Sequence, residues 1–151
     1  MRYAEKTSVS TDSSKAEIEK ILRRYGAEQF MSGWDRNKAF IAFKMNSRNL
    51  KFIIPLPDMG SREFTHTPAG RVRRNKNDQI KAWDQGCRQR WRALALVIKA
   101  KLEAVETGIT EFEDEFLAHI LLPGGETAGE FLKPQVAMAY ETGKMPKLLP
   151  Y

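Results

Sequence analysis

The 151-residue chain predicts an α+β fold: an N-terminal helix, a three-stranded antiparallel meander, a long amphipathic helix, then short C-terminal helices. Three observations carry this. Residues 28–57 alternate apolar and polar side chains in short runs divided by turn formers. Residues 78–106 place apolar side chains three or four apart with no proline. Three Ser/Thr-x-x-Glu patterns mark helix starts.

Taken in order, Ser14 and Glu17 have capping-box spacing. Ile18, Ile21, Leu22 and Tyr25 follow at helical intervals, and Gly26 supplies a stop. Residues 1–12, polar through SVSTDSS, are expected to be flexible. Strands are predicted at 29–34, 39–45 and 50–56, with turns at 35–38 and 46–49. Ile41, Phe43 and Met45 share one face of the second strand, as do Leu50, Phe52, Ile54 and Leu56 on the third. Pro55 cannot donate a ladder hydrogen bond, which predicts that the third strand is an edge or is irregular near its end.

Residues 57–77 carry Arg62, Arg71, Arg73, Arg74 and Lys76 among turn formers and read as a long basic loop. A loop of that length in a compact domain is functional or disordered. In the long helix Ile80, Trp83, Cys87, Trp91, Leu94, Ile98, Leu102 and Val105 form one apolar stripe. Gly86 weakens that helix by roughly 1 kcal/mol relative to alanine without ending it. Thr107-Gly108 ends it. Thr110 and Glu113 predict a second capping box, with Phe112, Phe116 and Ile120 inward. Residues 122–125 are a break. Thr127 and Glu130 predict a third box, and Pro134 suits the first turn of a restarted helix that ends at Gly143. Residues 144–151 form an apolar, proline-punctuated arm. The whole reads as a single domain, 1–151.

The composition, 42% hydrophobic and 29% charged, is that of a soluble globular protein. No apolar run approaches the roughly 20 residues that span a bilayer, so no membrane partner is expected. The first residues lack the apolar core of a secretory signal. Cys87 is the one cysteine and has no intrachain partner, which fits a reducing cytoplasm. Charge is unevenly spread. Residues 60–101 hold 11 basic and three acidic side chains, whereas residues 102–151 hold three basic and nine acidic. A basic middle and an acidic end favour either a polyanionic partner or pairing between copies.

On the long helix Lys81, Arg88, Arg92 and Lys99 fall on one line, within about 40° of each other. Like charges in a row repel, so the line seeks an anionic neighbour. That neighbour is the acidic C-terminal helices of the same chain or the next, or nucleic-acid phosphate; plain solvation is the third reading. Arg71, Arg73, Arg74 and Lys76 extend the line as an arm able to follow a phosphate backbone. Trp91 lies on the margin of the apolar stripe nearest Arg88 and Arg92, either as a core ring or as a platform for a base. Phe40 lies on the strand face opposite Ile41 and Phe43, beside Lys44, Lys51 and Ile53. There it is either covered by a second helix or free to stack on single-stranded nucleic acid.

No catalytic signature accompanies these features. His66 and His119 stand in no triad or zinc-ligand spacing, and Cys87 falls within the apolar stripe. Glu111, Glu113, Asp114 and Glu115 are consecutive or nearly so on a helix and point apart, so no metal site is expected. The glycines of 124–129 lack phosphate-loop spacing. No cofactor is expected.

The segments SKAEIEKILRRYGAEQFMSGWD and WRALALVIKAKLEAVETGITEFEDEFLAHILLPGGETAGEFLKPQVAMAYETGKMPKLLP resemble a family of small bacteriophage and prophage proteins without an assigned activity. The resemblance implies a phage-encoded protein in the cytoplasm of a bacterial host, working in DNA replication, recombination or defence evasion. The order helix, three strands, long helix is also similar to the core of single-strand annealing proteins, a likeness of element order alone. The expectation is therefore an oligomeric nucleic-acid-binding protein favouring single-stranded DNA, with annealing in phage recombination or replication. Its contacts would be Arg71, Arg73, Arg74, Lys76, Lys81, Arg88, Arg92 and Lys99 on phosphate, with Phe40 and Trp91 on bases. The alternative is a phage inhibitor that binds and blocks a host protein or complex; a metal-dependent nuclease is the one enzymatic alternative.

Overall fold

The computed structural model describes residues 10–70 and 72–145. The predicted flexible segment 1–12 falls outside it up to residue 9, the arm 144–151 falls outside it from residue 146, and Arg71 lies outside it too.

Helix α1, Thr11–Arg24, begins four residues before the predicted start. Its cap is Ser10, whose Oγ accepts from the Ser13 N–H at 3.1 Å. Ser14 sits inside the helix, wholly buried, and its hydroxyl has no partner among the described residues. The two serines therefore predict opposite results. Ser10→Ala should cost roughly 0.5–2 kcal/mol by removing the cap. Ser14→Ala should stabilise by roughly 1 kcal/mol, because it deletes an unsatisfied buried hydroxyl and improves helix propensity. Denaturant unfolding of both variants checks the pair. A loss at position 14 would restore the predicted capping box.

Strands β1 (Gln29–Asp35), β2 (Lys38–Met45) and β3 (Arg48–Pro55) form an antiparallel meander in the order β1-β2-β3. Asn46 and Ser47 both take positive φ, 51° and 62°, the geometry a two-residue hairpin needs and asparagine tolerates. β3 is an edge, as Pro55 predicts, and that proline is its last residue.

One face of the sheet is the core. Ala39, Ile41, Phe43, Met45, Leu50, Phe52 and Ile54 meet Ile18, Ile21 and Leu22 of α1. From above they meet Trp91, Ala95, Ile98 and Leu102 of the long helix α3, Lys76–Glu106. Helix α4 (Phe112–Phe116) and the 3-10 turn Leu117–His119 close one end. Phe116 there is edge-on to Phe43 and Phe52 at 6.4 and 6.3 Å between centroids. The predicted stripe of α3 is buried at Cys87, Trp91, Ile98 and Leu102, but Ile80 is exposed.

Three expectations are corrected. Residues 57–77 are not a bare loop: they contain helix α2, Arg62–Thr65, and a bridge between His66 and Arg73, and they are pinned to α3. Trp83 Nε1 donates to Pro57 O at 2.7 Å and Gln79 Nε2 to Met59 O at 2.8 Å. Gly86 is the seat of that packing, since a Cβ there would lie 3.0 Å from the Phe64 ring. Next, α4 has no side-chain cap. Thr110 Oγ1 instead lies 3.0 Å from Glu111 O and 3.3 Å from Glu115 Oε2. Finally, helix α5 runs unbroken from Ala128 to Thr142 with Pro134 inside it. Pro134 has no N–H for the carbonyl of Glu130, itself an exposed residue, so the helix tolerates the proline at its surface. The third capping box does form: Thr127 Oγ1 accepts from Glu130 N–H at 3.1 Å, and Glu130 Oε1 accepts from Thr127 N–H at 3.3 Å.

Candidate nucleic-acid interface

The predicted contacts fall on two sides of the molecule. On α3, Arg92 is not free for phosphate: its guanidinium pairs with Glu17 of α1, and both side chains are largely covered. Arg88 pairs with Asp84 at 3.3 Å and donates Nε to Gln85 Oε1. The cationic line is thus broken at its centre by carboxylates, while Lys81 and Lys99 at its ends are exposed. The C-terminal acids pair elsewhere. Glu115 takes Lys101 at 3.1 Å, and Glu113 takes Arg48 at 2.9 Å.

Trp91 is a core ring, 2% exposed, and the expectation of a base platform there is overturned. α1 crosses the margin of α3 on which the ring lies, and Lys15 Nζ sits 4.9 Å from the ring centroid. Arg74 is spent on the fold in part, since its Nη1 donates to Glu63 O at 2.8 Å and to Phe64 O at 3.3 Å. Arg73 and Lys76 are exposed.

Phe40 has the other fate. Strand alternation puts it on the face away from the helices, in one row with Lys38, Ala42 and Lys44. Register adds Lys51 and Ile53 from β3, and Met31, Gly33 and Asp35 from β1. No helix covers this face among the described residues; Met31 is 58% and Ile53 42% exposed. The Phe40 ring reaches across to Gly33, where a Cβ would meet it at 2.7 Å, so a glycine is required for the ring to lie there. Lys51 Nζ stands 5.2 Å from the ring centroid. A cleft of about 570 Å³ opens beside the ring, walled by Met31, Ala42 and the 121–125 segment. Three lysines and one aspartate give the face a net positive charge around an aromatic and apolar centre. Met31 and the sheltering segment at 121–125 carry no local sequence signal for this role; only the strand register reveals it.

Neither histidine forms a catalytic constellation among the described residues. His119 stacks on Phe52, with centroids 3.8 Å apart. Burial, then the charges of Lys101 and Lys133, hold its pKa below the ordinary value, against a backbone hydrogen bond at Lys51. A histidine kept neutral in the folded state leaves the unfolded chain with more bound protons below pH ~6.5. Stability from this group is therefore complete above that pH and is lost as pH falls through the depressed folded value. Thermal unfolding at pH 7.5 and 5.5 should show the loss in wild type and a smaller one in His119→Gln (both pH values bracket about 6.5). Equal losses in both proteins would refute it.

No family model, curated protein or solved structure matches the chain.

Proposed function

We propose that this is a nucleic-acid-binding protein that holds single-stranded DNA on the open face of its sheet, and that it serves phage DNA recombination or replication. The observation that carries the reading is Phe40 set among Lys38, Lys44 and Lys51 on a face that no helix covers among the described residues. Bases stack on an exposed ring regardless of sequence, and ammonium groups at strand spacing follow the phosphates. A duplex buries its bases and offers nothing for such a ring, which favours the single strand.

Self-association belongs to the same reading. Helix α5 packs chiefly on the 3-10 turn, and its Val136, Met138 and Tyr140 are 51%, 55% and 89% exposed. A second copy packed on the face shared by Val136 and Tyr140 would bury those two side chains. The acidic end of one chain and the basic middle of the next would also attract.

The test is fluorescence anisotropy with single- and double-stranded oligonucleotides at rising salt, beside sedimentation. Three lysine contacts on a single strand predict a slope of log affinity against log salt of about −2. No affinity at low salt would overturn the reading. A stoichiometric complex with a host protein, in a chain without DNA affinity, would establish the blocking alternative instead. A monomer at every concentration would remove self-association.

A further inference from the structure

The second basic feature is a cleft of about 640 Å³ between α3 and a wall formed by residues 62–70 and Arg74. Arg62, Arg74 and Arg90 line it, with Phe64, Gly86 and Gln89. Each guanidinium is held by a backbone carbonyl. Arg62 Nη2 donates to Gly70 O at 3.0 Å, Arg74 Nη1 to Glu63 O at 2.8 Å, and Arg90 Nη1 to Gly86 O at 3.1 Å. Carbonyls orient an arginine without cancelling its charge, and each fork keeps further N–H donors. Among the described residues one carboxylate lines the cleft: Glu63, whose Oε1 is 3.9 Å from Arg90 Nη2. The lining therefore carries an excess of two positive charges, fixed in place before any ligand arrives.

The floor is rigid. Phe64 is 5% exposed, and it packs so closely on Gly86 that a Cβ there would lie 3.0 Å from its ring. The positive field extends to the neighbouring His66. Partial burial, then Arg62 and Arg73, push its imidazole below the ordinary value.

We propose that this cleft binds a phosphomonoester, with Arg62, Arg74 and Arg90 as its donors. Two excess positive charges match a phosphomonoester dianion, and planar guanidinium forks suit its oxygens better than lysine points do. A phosphodiester within a strand carries one charge and is the poorer match. The volume is ample for a nucleotide. Two sources share this chemistry, a free nucleoside monophosphate and the phosphorylated end of a nucleic-acid strand. The site lies on the helical side of the molecule and does not depend on the sheet-face reading.

Calorimetric titration with adenosine 5′-monophosphate, adenosine and inorganic phosphate tests the site. Oligonucleotides with and without a 5′-phosphate then distinguish the sources. The monophosphate should bind and adenosine should not, and Arg90→Gln should weaken the monophosphate about tenfold or more. Arg62→Gln, on an exposed rim residue, serves if Arg90→Gln fails to fold. A 5′-phosphate that tightens oligonucleotide binding assigns strand ends; no gain, with the monophosphate still bound, assigns the free nucleotide. Indifference to phosphate in both the nucleoside and oligonucleotide pairs overturns the proposal. Phe40→Leu separates the two readings, since it should weaken oligonucleotides with either end alike and leave monophosphate binding unchanged. Failure of the unphosphorylated oligonucleotide to bind at all would sink the sheet-face reading and leave this one standing.

Discussion

Trp91→Ala is expected to lower the unfolding free energy by about 3–5 kcal/mol. The ring is 2% exposed and belongs to the core formed by α1, α3 and the sheet. Deleting it leaves a cavity whose walls cannot close. α1 is held against α3 by the Glu17–Arg92 ion pair, and the sheet face opposite is fixed by two full ladders. The contact of Lys15 with the ring goes as well, adding about 0.5 kcal/mol or more. Urea unfolding measures the loss, and Trp91→Phe should recover part of it. The folded fraction of the alanine variant should bind single strands as wild type does. A variant as stable as wild type but weaker on DNA would return the ring to a binding surface, against its burial.

Trp91 also marks where sequence reading stops. Periodicity along α3 places the ring correctly at the margin of the stripe, but the width of a buried stripe depends on how many elements pack against it. α1 covers that margin through a contact between residues 17 and 92, which no local pattern announces. The same limit explains the basic loop. Its turn formers and charges are legible, but its docking depends on Phe64 and Pro57 meeting Gly86, so the glycine reads only as a weak point in a helix. By contrast, the meander and its core face follow from two-residue alternation and from turn residues a few positions apart, and the structure reproduces both. Cap placement lies between these cases. SVSTDSSK offers several serines with helix-start chemistry, and only the fold reveals that Ser10 caps while Ser14 is buried. Of the candidate contacts, Phe40 lies on the predicted face beside Lys44 and Lys51, because strand parity alone decides that face. Arg88 and Arg92 do not remain a free track, because their carboxylates, Asp84 and Glu17, lie off the line considered.

Phe40→Ala is expected to weaken single-strand binding by about 5- to 150-fold, the range that removal of one stacked base spans. Because the ring also shelters Gly33, alanine alone confounds binding with stability. Phe40→Leu resolves this, as leucine keeps apolar cover over the glycine yet offers no π-face. If stacking is the interaction, leucine loses nearly as much affinity as alanine while unfolding close to wild type. The lysines act through a different quantity. Lys44→Gln with Lys51→Gln removes two phosphate contacts, so affinity should fall at every sequence alike and the salt slope should become shallower by about 1.4. Stability should move by only about 1 kcal/mol, because among the described residues neither lysine forms an ion pair and Lys51 loses one contact, that with the Phe40 ring. Affinity and slope unchanged in both sets, with binding abolished by Arg73→Gln and Lys76→Gln instead, would move the interface to the basic segment before α3. A sheet that binds strands must lose contact energy at Phe40 and salt dependence at the lysines. A surface that merely attracts polyanions would show the second loss without the first.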